Sequence, residues 1–387
     1  MPFAAAISQH PLSAHAAGEV VGQVLESLGT APDVAFLFVT PPHAGALEDI
    51  AAVVRSVLAP SVLVGCAAES VVGPSTEVEQ TAAVSLWAGR TGSVQPVELT
   101  WDQGASTPSG WPIQMAVEPR AVVLLADPFS FDAEALLAWA ERELPGVPIV
   151  GGYASAARGP GGNRLCMGAR VRTDGAVGVI LGSGVSVATV VSQGCRPVGR
   201  PWVVTKADDG LIYELGGRPA LERLLELVDG LTDVDQRMIN RGGLNLGRVI
   251  DEHKAVFGRG DFLVRNVLGA DRANGAIAVS DAVDTGTTVQ FHLRDQLTAD
   301  EDLRTLLADA SAQGALLFTC NGRGRRLFSR PHHDAAVLAE ALDGAPVAGF
   351  FAAGELGPVG GRNFLHGFTA SMALLQRSVT PDQRACA

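Results

Sequence analysis

One arrangement of residues recurs three times in the chain and limits what it can fold into. FLFVTP at 36–41 leads through a helical pattern at 47–58 into VLVGCAAESVVGP at 62–74, and AVVLLADP at 121–128 leads through 132–144 into PIVGGYASAARGP at 148–160. Near the C-terminal end, GALLFTCNGRGRR at 314–326 is followed by PVAGFFAAGELGP at 346–358. Each copy is a short apolar run, a polar loop, a connecting stretch, a second apolar run, a glycine turn and a Gly-Pro. Apolar runs of this length bounded by glycine and proline read as buried strands. Two strands joined through a helix pair in parallel within a covered sheet. The expected class is α/β, a two-domain chain of mixed sheets built from repeated strand-helix-strand crossovers plus antiparallel hairpins. In such sheets ligands sit beyond the carboxyl ends of the strands, where Thr40, Cys66, Asp127, Tyr153, Cys320 and Glu355 fall.

Charge and cysteine usage narrow the partners. A net charge of -12 and a pI near 5.1 oppose nonspecific binding to nucleic acid or anionic membrane, which needs an excess of Lys and Arg. GRGRR is the one local basic candidate. No apolar run approaches a membrane-spanning length and no basic stretch precedes an apolar one at the N-terminus, so neither a span nor a secretory signal is expected, and the expected location is cytoplasmic. The 5 cysteines, at 66, 166, 195, 320 and 386, contain no CxxC pair, which speaks against a disulfide framework or a zinc knuckle. No cofactor and no metal is expected.

Between the repeats the pattern predicts a strand at 3–7, a helix at 14–28 with Ser13 as its N-cap, and a strand at 80–87. Residues 167–173 and 176–181 flank Asp174-Gly175, a tight-turn signal, and are expected to form a hairpin. Crossovers give way to strands and single helices near 194–199, which places the domain boundary there: 1–195 and 196–387. A second hairpin is expected from 262–268 and 276–280 around Asn274-Gly275, then an alternating strand at 287–294. Thr298 and Glu301 have the spacing of a capping box. A last helix is expected at 369–377.

Taken in order, VLVGCAAES with QTAAVSLWAG, VVTKADDGLIYELGGRPALERL, GDFLVRNVLGAD, FTCNGRGRRLF and GFFAAGELGPVGGRNFLHGFTASMALL resemble the FIST family (F-box and intracellular signal transduction). An N-terminal FIST region would cover about 30–190 and a C-terminal one about 200–375. The resemblance implies a sensory module that binds small molecules, amino acids among them, and that relatives join to signalling output domains or an F-box. No such segment accompanies it here, so any output would lie in a protein signalling partner.

The candidate ligand-binding residues are Cys66, Thr319, Cys320, Asn321, Arg323, Glu355 and His366. Thr319, Cys320, Asn321 and Arg323 put a hydroxyl, a thiol, an amide and a guanidinium on a glycine-rich loop that lets a guest approach closely. Arg323, between Gly322 and Gly324, suits a bidentate clamp on a carboxylate. An ion pair with Glu355 is its plain alternative. Cys66 and Cys320 follow strands at what look like equivalent places and read either as buried apolar residues or as pocket lining. His366 is either a pocket residue or a satisfied core histidine. His332-His333 point to different faces and make a poor metal pair. GPGGNR at 159–164 lacks phosphate-loop spacing. No catalytic residue is assigned, since Gly-x-Ser-x-Gly and HExxH are absent.

Three functions stand side by side. A stand-alone sensor would hold a small carboxylate ligand where the two halves meet, a cysteine-dependent enzyme would use Cys320 with His366 as base, and a protein-recruiting scaffold would need an exposed apolar patch.

Overall fold

Each recurrent segment supplies the parallel pair of a different sheet in the computed structural model, which describes residues 1–102 and 104–378. The elements run β1 (Phe3–Ser8), α1 (Ser13–Leu28), β2 (Val34–Val39), α2 (Pro41–Ala44), α3 (Leu47–Leu58), β3 (Val62–Ala67), β4 (Ser70–Val72), β5 (Glu77–Glu79), β6 (Val84–Gly89), β7 (Val94–Leu99), β8 (Ala121–Ala126), α4 (Ala133–Glu143), β9 (Ile149–Tyr153), β10 (Leu165–Met167), β11 (Arg170–Arg172), β12 (Ala176–Leu181) and β13 (Val185–Gln193). There follow β14 (Cys195–Asp208), β15 (Leu211–Leu215), β16 (Arg218–Pro219), α5 (Ala220–Asp229), α6 (Asp233–Asn240), β17 (Leu244–Val249), β18 (Phe262–Asp271), β19 (Ala276–Val279), β20 (Thr288–Arg294) and α7 (Gln296–Leu307). The chain closes with β21 (Gly314–Cys320), α8 (His333–Ala341), β22 (Val347–Ala352), β23 (Glu355–Val359), β24 (Arg362–His366) and β25 (Thr369–Arg377).

The parallel pairs are β2–β3, β8–β9 and β21–β22. On the side of its first strand, each pair carries the antiparallel strand that returns to it, β6, β12 or β25. On the other side sits a hairpin borrowed from a different copy. The hairpin after β3 (β4–β5) joins β22, the one after β9 (β10–β11) joins β3, and the one after β22 (β23–β24) joins β9. This cyclic exchange ties the third copy to the first two. The chain accordingly divides into one unit of 1–192 with the segment from 303 onward, and a second of 193–302.

In the first unit all three sheets turn one face to a shared core that includes Phe36, Phe38, Trp87, Val123, Leu125, Phe318 and Phe350. The opposite faces pack separately beneath α1 and α3, α4, and α7 and α8. Burial on both faces is why the paired strands are apolar at almost every position. The glycines expected as turns, Gly65, Gly151 and Gly349, instead lie inside the second strands. They oppose Leu37, Leu124 and Leu317, and a Cβ on them would come 2.2, 1.9 and 1.7 Å from those leucines' carbonyl oxygens.

The second unit is a sheet in the order β14-β20-β17-β18-β19-β15, closed by a β14–β15 pairing into an antiparallel barrel. Val204, Ile212, Leu246, Ile277, Val289 and Phe291 are in its core.

Several expectations change. The expected hairpin at Asp174-Gly175 does not form: β11 pairs back to β10, whereas β12 pairs with β8 and β7 in another sheet. Residues 369–377 are strand β25, not a helix, and lie between β13 and β21. Leu12, not Ser13, is the N-cap of α1, and the strand expected at 80–87 occupies Val84–Gly89. Asp295, which accepts from Leu297 N and Thr298 Oγ1, takes the capping place expected of Thr298. The pattern change near 195 coincides with the start of the second unit, but the chain returns to the first at 303 rather than forming a continuous 196–387 body. The hairpin around Asn274-Gly275 is present as β18–β19. Among the described residues no helix is long and apolar enough to cross a membrane. Cys386 lies outside the described residues.

Candidate functional site

The loop after β21 is organised by a buried ion pair. Arg323 is fully buried, and its Nε and Nη2 donate to Asp334 Oδ2 and Oδ1 at 2.7 and 2.8 Å. Asp334 sits in the first turn of α8, where negative charge is favoured. It also accepts from Thr319 Oγ1 at 2.7 Å and contacts His333 Nδ1 at 2.9 Å. Burial alone would raise the Asp334 pKa, but the charge and hydrogen bonds of Arg323 hold it well below the usual carboxylate range. The His333 ring stacks on Phe328 at 3.4 Å, and the Arg323 guanidinium lies 5.2 Å from the centre of the same ring. Glu77 completes the wall: its Oε1 accepts from Ala335 N, and burial, reinforced by the charge of Asp334, pushes its carboxyl up to about 8.

Beside this pair lies a third buried acid, after Asp334 and Glu77. Glu355 begins β23 and is 0 % exposed; its Oε2 accepts from Thr369 N at 3.1 Å and Thr369 Oγ1 at 2.8 Å. Burial pushes this carboxyl up to about 8, against the pull of Thr369, of the Arg323 charge and of a hydrogen bond with Cys320. Its Oε1 meets no N–H or O–H donor in the protein, and Arg323 Nη1 and Asn321 Oδ1 are likewise buried without partners. Cys320 is partly exposed, and its sulfur accepts from Gly322 N at 3.4 Å.

The structure therefore sorts the seven expected residues. Cys320, Asn321, Arg323 and Glu355 come together at the ends of β21 and β22. The planar edge of Arg323 expected to clamp a carboxylate is occupied by Asp334, and Asp334 rather than Glu355 is its ion-pair partner, because α8 delivers the acid directly beneath the loop. Thr319 is buried on the same aspartate. His366 Nε2 donates to Gly357 O at 3.0 Å within the β23–β24 hairpin, which gives it a structural bond. Cys66 is fully buried inside β3 in the shared core, where desolvation raises its thiol well above its ordinary value. It is not the counterpart of Cys320: register pairs it with Phe38 and Leu165, whereas Cys320 corresponds to Thr40.

The other candidates are used by the fold. In GRGRR, Arg325 faces Glu79 and Arg326 pairs with Glu69, so the basic run is countered by acids. His332 Nδ1 accepts from Glu77 N, and no cluster of metal-holding side chains occurs among the described residues. Asn163 of the GPGGNR loop is buried on Asp127 and the Ala154 carbonyl. Asp334, Glu77 and Thr369 were missed by sequence reasoning. Asp334 alone carried a signal, as an acid in the first turn of a helix beginning just past the loop. A surface cavity of about 150 Å³ between α7 and α8, lined by Arg304, Leu307, Ala308, Val337, Glu340 and Ala341, contains none of the candidate residues.

Comparison with known proteins gives a consistent match across the chain. A family model described as the FIST N domain matches residues 33–218, and one described as the FIST C domain matches residues 220–358. An uncharacterized protein of Mycobacterium tuberculosis is 44% identical over 385 residues, covering 97% of this chain and 99% of the relative. An uncharacterized protein of Mycobacterium bovis is 44% identical over 373 residues, covering 94% and 96%.

Proposed function

The chain belongs to the FIST family, and from that premise we propose that it is a cytoplasmic sensory module for a small amino-acid-like ligand, bound where β21 and β22 end. FIST domains are associated with sensing in signal transduction. The observation that carries the reading is that Asn321 Oδ1, Arg323 Nη1 and Glu355 Oε1, with Glu77 Oε2 in the adjoining wall, are buried without hydrogen-bond partners in the protein. A buried group left without a hydrogen bond costs about 1–3 kcal/mol, so a guest that satisfies these atoms regains that cost on binding. Asn321 Oδ1 and Glu355 Oε1 are acceptors or potential acceptors suited to an ammonium group, and Arg323 Nη1 is a cationic donor suited to a carboxylate oxygen. An α-amino acid carries both. Arg323 contributes the N–H groups of Nη1 alone, because its Nε and Nη2 are held by Asp334.

Calorimetry and thermal shift with the free amino acids, and with amines and carboxylates as single-ended controls, test this. The expected result is a rise in melting temperature with an amino acid but not with either control, reduced by Asn321→Ala and by Glu355→Gln. An absence of stabilisation by every amino acid, or affinity unchanged in both variants, overturns it.

A further inference from the structure

The three copies act as internal controls for one another. Three residues beyond the leucines that face Gly65, Gly151 and Gly349 stand Thr40, Asp127 and Cys320, opposite Ala83, Gly175 and Thr369 on the returning strands. The backbone N–H at that opposite position is satisfied differently each time. Ala83 N donates to Thr40 Oγ1 at 2.7 Å, and Gly175 N donates to Ser130 Oγ at 2.9 Å, itself bonded to Asp127. In the third copy Thr369 N donates to Glu355 Oε2 instead. The residues that take the place of Glu355 in the other hairpins are Val71 and Leu165, both buried. A carboxyl has thus entered a position that is elsewhere apolar, has relieved the strand-end side chain of its structural duty, and keeps Oε1 without an N–H or O–H partner.

We propose that Cys320 is a reactive thiol modified by hydroperoxides, with Glu355 as its proton-exchange partner and Arg323 and the Gly322 N–H as stabilisers of the sulfur anion. The supporting geometry is local. Cys320 is partly exposed while Cys66, Cys166 and Cys195 are buried. Its sulfur accepts from Gly322 N. Arg323 N donates to Cys320 O at 2.7 Å, which folds the loop back on the cysteine. Glu355 hydrogen-bonds the thiol and exchanges its own proton near neutrality. In the reaction the thiol proton passes to the carboxylate of those molecules in which Glu355 is ionised, a fraction that grows as pH rises toward 8, and the sulfur lone pair attacks the distal peroxide oxygen. The S–O bond forms as the O–O bond breaks, and the departing oxygen takes the proton from Glu355. The products are a sulfenic acid and an alcohol, or water when the oxidant is hydrogen peroxide; sulfur loses two electrons and the peroxide gains them. The step uses the loop of the proposed ligand site but needs no ligand.

The test is made on the full-length, ligand-free protein with hydrogen peroxide and tert-butyl hydroperoxide, trapping the sulfenic acid with dimedone and locating it by peptide mass mapping. Label is expected on Cys320, faster than on free cysteine at the same pH, and absent in Cys320→Ser. Glu355→Gln, which keeps an acceptor for Thr369, is expected to slow labelling by roughly a hundredfold, the usual size of a proton-transfer contribution, with the melting temperature measured alongside. Labelling no faster than free cysteine, labelling of another cysteine in place of Cys320, or a native rate in Glu355→Gln overturns the proposal. Amino-acid binding measured separately by calorimetry fails or succeeds independently of these outcomes.

Discussion

The ends of β2 and β21 share a backbone plan and use it in opposite ways. At the end of β2, Thr40 is fully buried and both donates to and accepts from Ala83, so the strand end is closed by its own side chain. At the end of β21, the corresponding Cys320 is partly exposed, and closure has passed to Glu355 from the following hairpin. The substitution places a carboxyl in a core where Val71 and Leu165 occupy the matching places, beside the buried Arg323–Asp334 ion pair. Burying charge is costly unless it is paired. The difference teaches that the first copy is optimised as scaffold, whereas the third accepts an electrostatic cost concentrated at one loop.

The largest effect expected from breaking this comparison belongs to Arg323. Arg323→Ala leaves Asp334 buried without its cation, and the loss of one partner from such a pair costs about 3–5 kcal/mol; urea unfolding should show a correspondingly lower midpoint. A variant that unfolds like the native chain would mean that the Arg323–Asp334 pair does not organise the loop.

The glycines come next. Gly65→Ala, Gly151→Ala and Gly349→Ala should each destabilise, by roughly 1–3 kcal/mol or more, because the added Cβ overlaps a partner-strand carbonyl in every copy. Tolerance at one of the three in a thermal melt would break the equivalence of the repeats.

The buried carboxyls should write themselves into the pH dependence of stability. Glu355 titrates at about 8 when folded against 4.5 as its ordinary value. The folded state therefore holds a proton that the unfolded state has lost, and stability falls as pH rises between these values, by up to about 1.4 kcal/mol per pH unit for one proton. Glu355→Gln should flatten part of that slope and leave the part due to Glu77, which is shifted in the same direction. An unchanged slope in unfolding titrations across that range would remove Glu355 from the account.

The smallest effect sharpens the comparison most. Thr40→Val strands the Ala83 N–H and should cost about 1–3 kcal/mol, while Cys320→Ser, at the matching place, should change stability by no more than about 0.5 kcal/mol. Equal losses measured by denaturant titration would show that Cys320 still serves the strand end.

Much of the scaffold was legible because local rules suffice for it. Apolar runs such as 36–39, 121–126 and 315–318 are too short for helices and are bounded by turn residues, and crossovers between them imply parallel pairing. The misreadings occurred where local rules run out. TASMALLQR is buried between two strands, so it has no polar alternation to distinguish it from a buried helix. The Gly-Pro pairs looked like one recurring turn, yet Gly73-Pro74 follows β4, Gly159-Pro160 precedes β10, and Gly357-Pro358 lies within β23. Aligning the copies on those pairs sets Val71 beside Glu355 but puts Ala157 where Leu165 belongs, so the match with Leu165 appears only in the strand register.

The sequence by itself determined the class of fold, its three crossovers, the FIST resemblance and the loop at 319–324 as the chemically unusual place, because strand length, periodicity and turn chemistry are properties of neighbouring residues. Tertiary structure alone decided that the hairpins are exchanged among the sheets, that the chain returns to its first unit after residue 302, and that Arg323 belongs to Asp334 while Glu355 belongs to Thr369 and Cys320. Which acid meets which cation is set by the geometry that brings α8 and β23 to the same strand end. A charge removed from water takes the partner that this geometry supplies, wherever that partner lies along the chain.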